Sequence, residues 1–183
     1  MLDWLTDVNR SAAGPDQSHH RRAATREETR ALAHPLRLRI IRLLYDGPMS
    51  NRELATRLDQ QPATVLHHVR TLLRTGFIAP AGQRPGARGT TEKLYASTGK
   101  SWTLSVGDDG VDDATRRASI DAFVAEIDEA GDDVYDARLA LRISPARLEE
   151  LKTRIGALLD ELAFRDDPDG EKWAIFVAIH RRP

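Results

Sequence analysis

The stretch QQPATVLHHVRTLLRTGFI, residues 61–79, contains side chains suited to contact an anionic partner. At about 100° per residue, four aliphatic residues share one face of a helix: Val65, Val69, Leu72 and Leu73. The opposite face is polar and cationic: Ala63, His67, Arg70, Thr71 and Arg74. An arginine can donate two hydrogen bonds to a guanine edge, and threonine or alanine can contact a thymine methyl group. The pattern predicts a helix with an apolar back and a front suited to DNA.

The residues before this helix predict two more helices. PLRLRIIRLLYDGP starts with a proline at a first-turn position and stops at Gly47-Pro48. SNRELATRL carries a capping box, in which Ser50 and Glu53 satisfy each other's backbone amides. Pro62 then opens the next helix, and Gly76 is suited to end it in a left-handed conformation. Two short helices joined by a tight turn predict a helix-turn-helix.

The residues after the helix predict a hairpin with a basic tip. FIAPAG and EKLYAS are typical of strands, and QRPGARGTT between them is a glycine-rich loop that carries Arg84 and Arg88. No acidic residue precedes Glu92 in this loop, although a solvated loop usually mixes both signs of charge. The hairpin therefore adds a second cationic surface, the wing, over residues 82–93.

Metal, cofactor and catalytic sites are not expected. His67 and His68 are adjacent on a helix and point about 100° apart, so they are poorly placed to hold one ion. The chain has no cysteine, and its acidic runs lack the spacing of a calcium loop. It has no glycine-rich phosphate loop, nucleophile elbow or zinc-binding helix motif. We expect no enzyme.

Charge divides the chain into two halves. Residues 1–105 carry a net charge of +7 and residues 106–183 a net charge of −8. A basic half suggests a polyanionic partner, and an acidic half suggests a different task. We predict a flexible N-terminal arm (1–24), a DNA-binding domain (25–105), an acidic linker (106–112) and a C-terminal domain (113–183).

The C-terminal domain is expected to be a small α/β unit, so that the whole chain is of the α+β class. DATRRASIDAFVAEIDEAG is amphipathic, with Ile120, Phe123, Val124 and Ile127 on one stripe. A second helix is predicted from Ser144-Pro145, and strands over residues 137–144 and 171–180. Its apolar faces suit both a core and a subunit seam, so dimerisation and the binding of a small-molecule effector remain open alternatives.

No part of the chain suggests a membrane protein. MLDWLTDVNR lacks a basic start followed by an apolar run, and no later stretch approaches the ~18 apolar residues that span a bilayer. We expect a soluble cytoplasmic protein.

Residues 26–100 resemble the winged-helix domain of ArsR-type bacterial transcription regulators. The resemblance lies in HPLRLRIIRLL, SNRELATRL, VLHHVRTLL and the wing ARGTTEKLYAST, in that order. It implies a homodimeric repressor that places the recognition helix, residues 62–75, in the major groove of double-stranded DNA. By this resemblance, the residues that read bases are Ala63, Thr64, His67, Arg70 and Thr71. Those that grip phosphates are Arg74, Arg84, Arg88 and Lys93.

The sequence also departs from the family's pattern. Family members often have serine where Gln61 and Leu66 stand here, and glutamine caps a helix poorly. Family metal sites use cysteines, which this chain lacks. Two other functions remain open, a winged-helix module that docks proteins and an enzyme housed in the C-terminal domain.

Overall fold

The computed structural model describes residues 21–86, 89–105, 113–163 and 170–182. These residues form six α-helices and five β-strands. The helices are α1 (Arg26–Leu32), α2 (Pro35–Tyr45), α3 (Asn51–Arg57), α4 (Pro62–Arg74), α5 (Asp113–Ala130) and α6 (Pro145–Ala163). The strands are β1 (Arg22–Ala23), β2 (Met49–Ser50), β3 (Ile78–Pro85), β4 (Thr91–Ser97) and β5 (Leu104–Ser105). The mixed helix and sheet composition and the winged-helix arrangement predicted from the sequence are confirmed.

Local signals explain where the first helices begin. Helix α3 has the predicted capping box, in which Ser50 Oγ accepts from the Glu53 amide at 3.3 Å and the Glu53 carboxylate accepts from the Ser50 amide at 2.8 Å. Helix α1 begins with the same device, formed by Thr25 and Glu28. Helix α2 begins at Pro35, and the ring of His34 caps it by accepting from the Leu36 amide. Each device satisfies an amide that has no partner within its helix.

The wing is the outer part of a three-stranded antiparallel sheet in the order β2-β4-β3. Strands β3 and β4 form the predicted hairpin, with an irregularity between Pro80 and Gln83. The sequence did not predict β2, whose two residues follow Pro48 and pair with Leu94 and Tyr95. A second pairing joins β1 to β5 in parallel. It fixes residues 22 and 23, which fall within the predicted flexible arm; residues 1–20 of that arm lie outside the described residues.

The core of the winged helix lies beneath α4. Seven of its large apolar side chains are at most 1 % exposed: Ile40, Leu44, Leu54, Val65, Val69, Leu72 and Phe77. They come from α2, α3, α4 and the entry to β3, so the recognition helix packs on α2, on α3 and on the residue that leads into the sheet. A core packed in this way fixes the direction of the residues on the opposite face of α4.

Helix α5 packs against α2 and buries its predicted stripe only in part, since Phe123 and Ile127 are half-buried. Its buried residues are Thr115, Ala118 and Ala122, whereas Ile120 and Val124 of the predicted stripe are exposed. Arg39 of α2 pairs with Glu129 in the last turn of α5. Burial also raises the pKa of the Glu126 carboxyl, and the nearby Arg42 and Arg39 oppose that effect.

The two strands predicted for the C-terminal half are not formed. Residues 137–144 and 171–180 are neither helix nor strand. A strand needs a neighbour for its backbone N–H and C=O groups, and none of the backbone hydrogen bonds recorded for the described residues supplies one here. Apolar side chains alternate in residues 137–144 and run almost continuously in residues 171–180, but a strand depends on its partner as well as on its own sequence.

Contacts divide the chain into two units. One comprises Arg21–Arg138 together with Trp173–Pro183, and the described part of the other lies within Leu139–Lys172. Helix α5 thus belongs with the winged helix, whereas the charge distribution predicts a domain boundary at 106–112. That linker lies outside the described residues, and the functional boundary remains a prediction. No helix in the described part of the chain has the length and apolarity to cross a bilayer.

Candidate nucleic-acid interface

Helix α4 presents a polar, cationic front on a fully buried apolar back. Val65, Val69 and Leu72 are 0 % exposed, as the spacing predicts. Five of the predicted contact residues are exposed on the other side: Ala63, Thr64, His67, Arg70 and Arg74. Thr71 is half-buried, and its hydroxyl donates to the His67 carbonyl at 3.3 Å. The side chain of Thr71 is therefore partly occupied within the helix, whereas Arg70 projects into solvent.

Helix α4 has no side-chain cap at its start and a left-handed glycine after its end. At the start, Gln61 makes no side-chain cap, so the amides of the first turn remain open to another acceptor. The side-chain amide of Asn51 in α3 donates through Nδ2 to the Pro62 carbonyl at 2.9 Å. This bond fixes the turn between the two helices. At the end, Gly76 adopts φ +72°, a left-handed conformation that glycine accepts without strain.

Three histidine rings meet beside the front of α4. His68 is 7 % exposed, and its ring centroid lies 4.4 Å from that of His34 and 5.3 Å from that of His67. Burial, together with the nearby His34, Arg37 and His67, lowers the pKa of His68 to about 4. His68 is thus neutral near pH 7. Within the described residues, no group of three or more histidine or carboxylate side chains could hold a metal ion.

Arg74 lies at the C-terminal end of the front, next to a carboxylate of α1. Its Nε donates to Glu27 Oε1 at 3.1 Å, and both side chains are more than half exposed. Exposed pairs of this kind contribute little to stability, because solvent screens them. Arg74 can therefore exchange Glu27 for another anion at small cost. The sequence did not reveal this pairing, because 46 residues separate the two positions.

The wing does not gather its predicted cations on one side. Arg84 pairs with Glu53 Oε1 at 2.8 Å and with Glu92 Oε2 at 3.0 Å, and these bonds raise the pKa of its guanidinium. Arg84 lies opposite Glu92 in the hairpin, whereas exposed Lys93 is the next residue along β4 and so points to the other face. Arg88 lies outside the described residues.

Glu53 links the helix-turn-helix to the wing, a role that sequence reasoning missed. The same carboxylate that completes the capping box of α3 accepts from Arg84 of β3. Hydrogen bonds from the Ser50 amide and from Arg84 hold the pKa of Glu53 below its usual value. The capping box was visible in the sequence, but only the fold brings Arg84 to it. Glu53 and Arg84 therefore connect the wing to α3.

Comparison with known proteins identifies the part of the chain that carries this surface. Residues 32–80, which are 49 of the 183 residues, match the family model described as a helix-turn-helix domain. A search of curated proteins found no match.

The comparison with solved structures found matches of low identity and low TM-score. Reduced HlyU from Vibrio cholerae matches with 21 % identity over 52 % of this chain and 81 % of its own, with a TM-score of 0.31. A transcriptional regulator homologue from Pyrococcus horikoshii has 22 % identity over 56 % of this chain and 89 % of its own, with a TM-score of 0.33. The adhesin competence repressor AdcR from Streptococcus pyogenes has 18 % identity over 87 % and 88 %, with a TM-score of 0.29.

Because these TM-scores are low, the assignment rests on the domain match and on the observed helices and strands. The matched range begins in α1, contains α2, α3 and α4, and ends in β3. Residues 32–80 of this chain therefore form a helix-turn-helix domain.

Proposed function

We propose that this protein is a sequence-specific DNA-binding transcription regulator of the ArsR type, acting as a homodimeric repressor in the bacterial cytoplasm. The observation that carries the proposal is the front of α4, where Arg70 and Arg74 are exposed above a fully buried apolar back. A rigid helix with cations on its outer face fits the major groove, which is about 12 Å wide.

Base reading is assigned to the middle of the front. Arg70 is exposed and has two donors for the O6 and N7 atoms of guanine. Ala63 and Thr64 lie in the first turn, where recognition helices approach base edges most closely. His67 and Thr71 are the other two residues that we assign to base reading.

Phosphate binding is assigned to the residues around that centre. The uncapped first turn of α4 offers free amides, and Arg74 offers a guanidinium held only by an exposed carboxylate. Lys93 and Arg88 would contact the flanking backbone from the wing. Arg84 would first have to leave Glu53 and Glu92, so in the free protein we assign it to orienting the wing.

The C-terminal half is assigned to dimerisation, with binding of a small-molecule effector as a second role. A repressor that reads a two-fold symmetric operator needs two copies of α4 held about one helical turn apart. The exposed apolar residues of the C-terminal half support an assembly role, since surfaces of this kind mark protein interfaces.

The proposal is tested by recovering bound fragments from a pool of genomic DNA with the purified full-length protein and then footprinting them. We expect a short two-fold symmetric site with protected major-groove segments one helical turn apart. The matched control is Arg70→Ala, which keeps the buried back of α4 and should lose enrichment. Equal recovery of all fragments by both proteins would overturn sequence-specific binding.

A further inference from the structure

The C-terminal segment exposes an apolar face that has no cover in the described chain. In residues 173–179, Phe176 stacks on Phe123 of α5, with ring centroids 4.8 Å apart. The odd-numbered side chains of the same segment stay open to solvent, and Trp173 and Ile175 are 65 % and 57 % exposed. A contiguous exposed row of this kind is typical of a surface that binds a protein.

A second segment has the same character. Leu139, Leu141 and Ile143 alternate along residues 139–143, and all three side chains are exposed, Leu139 to 83 %. No recorded backbone–backbone hydrogen bond among the described residues involves residues 133–143 or 173–179. Each segment therefore has a row of apolar side chains and a row of backbone groups available to a neighbouring strand.

The charges at the outer ends of the two segments favour antiparallel pairing, in which aspartates face arginines, although the same register places Arg142 opposite Lys172 at the inner end. Asp132, Asp133 and Asp136 lie at the start of the first segment, and Arg181 and Arg182 follow the second. Antiparallel pairing with Asp133 opposite Arg181 also places Leu139 opposite Ile175, and Leu141 opposite Trp173. A parallel arrangement would instead bring the acidic start beside Glu171 and Lys172 and leave Arg181 and Arg182 away from the aspartates.

The direction of pairing identifies the partner. Within one chain, α6 separates the two segments, and adjacent strands joined through a helix are typically parallel. The complementary antiparallel arrangement is therefore the one available to a second copy. Two-fold symmetry then forms the contact twice, since the first segment of each copy meets the second segment of the other.

We propose that two copies of this chain associate through antiparallel pairing of residues 133–143 of one copy with residues 171–181 of the other. This inference rests on the proposed function in that a homodimer is the form that reads a symmetric operator. It goes further by naming the two surfaces and their register.

The absence of cysteine from the chain permits a direct test by disulfide trapping. Directly opposed residues in antiparallel strands have Cα atoms about 4.5 to 5.5 Å apart, which suits a disulfide. We expect the double variant Leu139→Cys/Ile175→Cys, oxidised mildly as a full-length protein, to run at twice the chain mass on a denaturing gel without reductant. The control pair Leu139→Cys/Ala174→Cys places the second thiol on the opposite face and should stay at the mass of one chain.

Three results would overturn the interface: a disulfide within one chain, cross-linking by the control pair alone, or a wild-type protein that is monomeric at micromolar concentration by light scattering. DNA binding is measured separately on the cross-linked protein. A covalent dimer that fails to bind DNA supports the interface and contradicts the proposed function. Specific DNA binding without the predicted cross-link overturns the interface alone.

Discussion

At the scale of single residues, the contacts of the histidines beside α4 require neutral imidazole rings. The Nδ1 atom of His34 accepts from the Leu36 amide and loses this role when it is protonated. The Nδ1 atom of His68 is buried with no hydrogen-bond partner in the described structure, and Arg37, His34 and His67 face the ring. Burial lowers the pKa of His34 as well as that of His68.

The lowered pKa values of these histidines predict that the free energy of unfolding decreases in mild acid. Because the pKa of His68 is about 4 in the folded chain and about 6.5 when unfolded, the unfolded chain binds more protons between these values. The free energy of unfolding should therefore decrease as the pH falls from about 6.5 towards 4, by up to ~3 kcal/mol from His68. Urea denaturation at pH 7 and pH 5 measures the change.

One variant separates His68 from other acid effects. His68→Leu, which removes the buried ring, should reduce the loss of stability between pH 7 and pH 5. Identical pH profiles for His68→Leu and the wild type would show that the buried ring is not the source.

At the scale of elements, the end of the recognition helix depends on a left-handed residue. A Cβ atom added to Gly76, at φ +72°, would be strained and would lie 3.5 Å from Lys100 Nζ. Gly76→Ala should reduce the free energy of unfolding by roughly 1 to 2 kcal/mol. Gly156→Ala is the matched control, since it sits inside α6 with nothing within 4 Å of the added atom and should stabilise by about 0.5 to 1 kcal/mol. Thermal unfolding of both variants measures these changes in stability, and a Gly76→Ala variant as stable as the wild type would contradict the prediction.

The start of the same helix offers a second prediction. Gln61 has the extended backbone of a capping residue but no side-chain hydrogen bond. Gln61→Ser should supply the missing acceptor and stabilise the protein by ~0.5 to 1 kcal/mol in chemical denaturation. Gln60→Ser, one residue earlier, is the control and should have almost no effect. If Gln61→Ser is no more stable than the wild type, the backbone amides in the first turn of α4 already have acceptors.

The sequence predicted the elements with strong local signals and missed those that depend on distant partners. Pro35, Ser50, Pro62 and Gly76 marked where helices begin or end because caps act within a few residues. The two-residue strand β2 has no such signal, and its pairing with β4 is set by the fold. The front of α4 followed from helical spacing alone. The carboxylates beside Arg74 and Arg84 could not be predicted, because ion pairs between distant segments leave no periodic pattern.

At the scale of the whole molecule, the basic half predicts binding that depends strongly on salt. If two protomers neutralise six to ten phosphates, affinity should fall about 10³ to 10⁵-fold between 50 and 200 mM salt, because binding releases counterions. Fluorescence anisotropy with a labelled duplex measures the slope. Lys93→Ala should lower the slope by about one for each protomer and weaken all sequences alike. A flat response to salt would contradict phosphate binding by this surface.

The central claim is that the front of α4 lies in the major groove with Arg70 on a guanine. Dimethyl sulfate methylates guanine N7, which faces that groove, so protection of N7 in the recovered site reports the contact directly. We predict that the wild-type protein protects guanines in both half-sites and that Arg70→Ala, at concentrations that saturate the DNA, exposes one of them in each half. Protection that is identical in the two proteins, or absent from the major groove in both, would contradict the account.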